Sequence, residues 1–153
     1  MKLLRVEKDH YVFRLGRRER DLFEFMLRLY PVIPPAHHSS GKKPGAPEQS
    51  QQLLDEALAE QRRENKQQVE ALLADPKRFK QSDKSFELTL SAGEIEWVLQ
   101  VLNDVRVGHW ILLGSPDEHP RFVPDLESSP NVAAMELASV FQMDLLTAIQ
   151  HNR

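Results

Sequence analysis

The stretch from Phe86 to Gly114 constrains this chain most. Phe86, Leu88 and Leu90 alternate with Glu87 and Thr89, which is the period of a half-buried strand. Ser91 and Glu94 follow as a capping-box pair. In that arrangement the serine oxygen and the glutamate carboxylate each take a backbone N–H left free at a helix start. Beyond it, Val98, Val101, Val105, Gly108 and Leu112 form one stripe at three-and-four spacing. Ile95, Leu99, Leu102, Arg106, His109 and Leu113 form a second. Two adjacent stripes leave little polar surface, so the spacing predicts a helix over 91–113 that other elements surround. Gly114, with Pro116 behind it, stops that helix.

Other segments supply what could surround it. The apolar runs 3–6 and 11–15 read as a β-hairpin joined through Glu7–His10. Two strands are marginal in water, so the hairpin needs a third, and 86–90 can provide it. From Arg17 the period becomes helical, through Leu22, Phe23, Met26 and Leu29, and ends at Pro31. Residues 31–48 read as a flexible linker rich in Pro, Gly and Ser. Gln49–Leu73 reads as a long helix with apolar ends and a polar middle, Glu60–Gln68. The ends should pack on a core, and the middle should break or stand in solvent. Residues 115–130 form an acidic, proline-rich loop, and a last helix runs from Asn131, as N-cap, to Ile149. The expectation is one α+β domain over 1–153, mainly helical. It has about four helices around the central one and a small antiparallel sheet (3–6, 11–15, 86–90).

The composition narrows the function classes. A net charge of −3 argues against a large footprint for nucleic acid. With no cysteine there is neither a disulfide framework nor a thiolate metal cage. The N-terminus lacks a signal-peptide core, and no apolar run reaches the roughly 20 residues of a membrane span, so the expected location is cytoplasmic with no membrane contact. No Gly-rich phosphate loop, nucleophile elbow or zinc-helix motif is present, so an enzyme is not the expected reading and neither a cofactor nor a metal is called for.

Three sets of residues remain as candidates. Arg106, His109 and Asp144 are polar positions in or beside apolar stripes. Arg106 either pins the helix register or snorkels to the edge; if buried it needs a carboxylate, with Asp144 or Glu136 as partner, and Trp110 four residues on could stack on the guanidinium. The basic clusters 17–20 (Arg17, Arg18, Arg20) and 77–84 (Lys77, Arg78, Lys80, Lys84) read first as solvated surface and second as phosphate contacts. Asp117, Glu118, His119 and Asp125 carry atoms suited to metal or acid–base work, and His37-His38 could touch a metal.

Phe86–Glu94, then Trp97–Arg106 with its Leu102-Asn-Asp-Val-Arg106 core, a glycine near the helix end and an Ala-containing last helix together resemble a bacterial family. That family is known mainly from actinobacteria and is catalogued as a domain of unknown function. The likeness covers mainly 86–149. Family members continue into a Leu-Gly-Thr-Arg-Leu-Gly-like segment where this chain has Val107-Gly-His-Trp-Ile-Leu-Leu-Gly114, so the second arginine is missing. The resemblance implies no established activity. The family's genes often neighbour that of an adaptor for the Clp protease, which implies a regulatory or protein-quality role. The expectation is a non-enzymatic protein-interaction or regulatory module, working through a helical surface and as a homodimer. A nucleic-acid-associated regulator is the second reading and a small hydrolase or metal enzyme the third.

Overall fold

The computed structural model describes residues 1–35, 48–117 and 129–151. In chain order its elements are β1 (Lys2–Glu7), β2 (His10–Gly16), α1 (Arg17–Leu29), α2 (Glu48–Ala74), β3 (Phe79–Ser82), β4 (Ser85–Ser91), α3 (Ala92–Leu112) and α4 (Ser129–Gln150). This is the expected α+β architecture, mainly helical with a small antiparallel sheet.

The sheet has the strand order β1-β2-β4-β3, so β4 completes the hairpin as anticipated. Phe13 stands opposite Leu88, Tyr11 opposite Leu90 and Leu15 opposite Phe86, which places the large apolar side chains of β2 and β4 on one face. That face is buried under the helices. The first turn is tighter than expected, using only Lys8 and Asp9, with Lys8 in the left-handed region (φ 49). One strand was not foreseen. β3 lies within the basic stretch 77–84, because Phe79 packs toward the core opposite Leu88 and anchors a four-residue edge strand.

α3 is the inner rod of the helical layer. Ile95, Val98, Val101, Leu102 and Val105 are all fully buried. Ser91 Oγ accepts the Glu94 N–H at 3.2 Å and the Glu94 carboxylate accepts the Ser91 N–H at 2.8 Å, so the capping box forms as read. Gly114 takes φ 86 just beyond the helix end, a conformation glycine adopts freely. Gln142 donates to the Leu99 carbonyl and Asn131 meets His109, so α4 runs antiparallel to α3. Phe23 of α1 meets Phe141 of α4 edge to face, with ring centroids 5.2 Å apart.

Three expectations are corrected here. α2 runs unbroken and most of its polar middle stands in solvent as read, but one edge of that middle docks: Arg62 donates to the Ile33 carbonyl and Lys66 to the Tyr30 carbonyl. Its first turns, expected to pack, leave Leu53 and Leu54 exposed. The surface that α2 meets includes backbone carbonyls, which require donors rather than methyl groups. Asn131 lies inside α4, which already begins at Ser129, and its side chain turns to His109 instead of capping. Finally, among the described residues one helix, Pro130–Gln150, is, at 21 residues, long and apolar enough to cross a membrane by length and composition. Its buried residues, among them Met135, Ala138, Phe141 and Leu145, pack into the fold.

Candidate interaction surface

The polar residues of α2 and α3 converge on the short strap Tyr30–Ile33 that follows α1. Asp104 Oδ1 accepts the Val32 N–H at 2.6 Å and the Ile33 N–H at 3.2 Å. From the α2 side, Arg62 reaches the Ile33 carbonyl at 2.9 Å and Lys66 the Tyr30 carbonyl at 3.1 Å. Asn65, the buried polar residue of α2, reaches the Tyr30 hydroxyl and the Gln100 amide oxygen, each at 3.5 Å. Burial holds the Tyr30 hydroxyl pKa above its ordinary value. Gly108 completes the seat. A Cβ there would lie 2.5 Å from the Val32 side chain and 3.0 Å from the Ile33 nitrogen. Asp104 and Gly108 of α3 therefore hold this strap.

The four candidates from the apolar stripes do not form one site. Arg106 is half-exposed and donates to Asn103 Oδ1 at 2.9 Å. It faces neither Asp144 nor Glu136, because a guanidinium that reaches solvent does not need a buried carboxylate. Trp110 donates from Nε1 to the Pro116 carbonyl at 3.1 Å, closing the end of α3. No Arg106–Trp110 stack forms; the cation–π contact places Arg20 over the Phe86 ring at 4.4 Å. His109 Nδ1 lies 3.0 Å from Asn131 Oδ1, tying α3 to the start of α4, while its Nε2 has no hydrogen-bond partner among the described residues. Asp144 lies 3.0 Å from the Met1 amino nitrogen, which also binds Glu19 at 2.6 Å.

The basic clusters are divided in the same way. Arg78 is a structural tie: its guanidinium grips both oxygens of Glu94 at 2.6 and 2.9 Å, and Asp75 lies at 3.4 Å. Burial alone would raise the Glu94 pKa. The bonds from Arg78 and the Ser91 N–H outweigh it, so the Glu94 carboxyl sits below its usual range. Arg20 pairs with Asp21 and Glu24. Arg17, Arg18, Lys77 and Lys80 remain exposed. Arg17 and Lys84 border a shallow cleft of about 310 Å³ with Gln81, Asp83 and Phe86. On the face of the sheet away from the helices, Lys2, Arg14, Glu87 and Lys80 align as one cross-strand row.

His37, His38, Glu118, His119 and Asp125 lie outside the described residues, as do most of 31–48 and of 115–130. Among the described residues no three His, Asp or Glu side chains gather where they could hold a metal.

The feature that residue-by-residue reading passed over is the outward face of α4. Val140, Met143 and Leu146 are 55%, 64% and 42% exposed, on a helix whose opposite side is core. The signal was present in the sequence. Glu136, Val140, Met143, Thr147 and Gln150 recur at alternating four- and three-residue spacing, which is the seam period of helix pairing. No family model, characterised protein or solved structure matches this chain.

Proposed function

We propose that this protein is a non-enzymatic interaction or regulatory module whose working surface is the outward face of α4. The observation that carries this reading is the run of exposed apolar side chains, Val140, Met143 and Leu146, on a helix otherwise packed into the core. Contiguous apolar surface of this kind marks a site that something else covers. Methionine at its centre suits a contact surface, since its flexible, polarisable side chain adapts to what it meets. On the resemblance alone, the partner belongs to regulation or protein quality control beside Clp-type proteolysis.

Chemical cross-linking in native lysate, comparing the natural protein with Met143→Glu, tests the reading. The expected result is loss of the cross-linked species with an unchanged circular dichroism spectrum. Identical cross-linking by both proteins would sink it.

A second reading draws on the open face of the sheet, where the Lys2, Arg14 and Lys80 row is interrupted by Glu87 alone. This supports a nucleic-acid contact at that face. A gel shift at two salt concentrations decides: a phosphate contact weakens steeply with salt, and no shift at low salt removes the reading.

A further inference from the structure

Resting on the α4 reading above, we propose that the occupant of this face is a second copy of the chain, with the two α4 helices paired antiparallel about a twofold axis between Val140 and Met143. The outward residues Glu136, Val140, Met143, Thr147 and Gln150 are all exposed and follow the heptad seam. In an antiparallel pair each first-position residue meets a fourth-position residue of the other helix. Val140 then packs on Met143 of the second copy, and Met143 on its Val140. Glu136 meets the Thr147 hydroxyl, with the Gln150 amide one turn away.

Charge chooses between the possible occupants. Glu136 and Asp144 are the acidic residues of α4, which contains no Lys or Arg. Asp144 is already engaged at the Met1 amino group. The outward residues of α4 itself therefore present one carboxylate and otherwise neutral groups. α4 itself offers no cation to a strongly acidic partner and no basic residue to an anionic lipid surface. Parallel pairing of two copies sets Glu136 against Glu136. Antiparallel pairing removes that repulsion and gives each carboxylate a hydroxyl donor. A twofold contact of this kind uses one self-complementary patch on both molecules. Three large apolar side chains per copy make a small interface, so the association is weak and concentration-dependent.

Sedimentation velocity over a wide concentration range provides the test, with three variants. The natural chain is expected to shift from monomer to dimer, and Met143→Glu to stay monomeric with its thermal unfolding unchanged. Thr147→Glu sets carboxylate against carboxylate twice and should weaken association by roughly tenfold or more. Adding Glu136→Lys to Thr147→Glu creates two opposite-charge pairs in the antiparallel order and restores the dimer, whereas in a parallel pair it leaves like charges facing. A natural chain that stays monomeric throughout overturns the proposal. So does a dimer that survives Met143→Glu, or one that the double variant fails to restore. A monomeric natural chain whose cross-linked species in lysate still depends on Met143 would remove self-pairing alone and leave the interaction module standing.

Discussion

Around Tyr30–Ile33, Asp104 takes the Val32 and Ile33 N–H groups, Arg62 and Lys66 take carbonyls of the same strap, and Gly108 leaves the space that Val32 fills. On the outward side of α4, Val140, Met143 and Leu146 meet solvent. Both regions belong to one helical layer and are built from similar helices. The strap seat pairs part-buried backbone groups with side chains of α2 and α3, so its residues are explained by the fold. The α4 face leaves apolar area uncovered, which a fold by itself does not call for. Changes at the first should therefore act on stability, and changes at the second on association.

The largest effect belongs to the rod beneath both regions. Leu102→Ala removes a fully buried side chain and should destabilise by about 2–5 kcal/mol in a denaturant melt. Gly108→Ala comes next and sharpens the contrast. In an exposed helix alanine gains about 1 kcal/mol over glycine. Here the new methyl would stand 2.5 Å from Val32, so the strap must shift. The expected net loss is about 1–3 kcal/mol, with faster amide exchange at Val32 and Ile33. An alanine variant more stable than the natural chain would show that the seat is looser than this geometry.

Glu94 gives a smaller effect with a pH signature. Its carboxyl pKa is lowered in the fold, so its contribution is complete above the unfolded value and is lost as pH falls through the folded one. Glu94→Gln keeps the shape of the capping box but loses the charge opposite Arg78. The variant should lose stability at neutral pH and converge with the natural chain in acid. Parallel stability curves down to pH 3 would show that Arg78 does not depend on that charge.

Much of this architecture is legible in sequence for a simple reason. Where burial follows a period, as in Phe86–Leu90 and the Val98, Val101, Val105 stripe, the period names the inward face. β3 and the polar middle of α2 are not legible that way. Phe79 fixes its strand through one cross-strand contact, and Arg62, Asn65 and Lys66 dock on backbone groups remote in sequence. Arg78 shows the same limit. It reads as part of a basic patch, yet its partner Glu94 lies 16 residues on. Arg106 shows what a period leaves open: its stripe allows either a buried ion pair or a side chain that snorkels to the edge, and its helix position leaves it reaching solvent. The outward face of α4 was written at seam spacing, but an apolar side chain read alone is taken for core.

The smallest expected change in stability is therefore the most informative about that face. Met143→Gln keeps nearly the same length and helix preference while replacing an apolar tip with an amide. With 64% of Met143 exposed, folding of the single chain should change by no more than about 0.5 kcal/mol in a dilute thermal melt. At high concentration the same variant should show less association than the natural chain. The two readings separate the roles cleanly, because a core methionine would show the opposite pair. A dilute-solution loss of several kcal/mol would mean that Met143 is covered within its own chain. The contrast between strap and seam would then dissolve into two parts of one core.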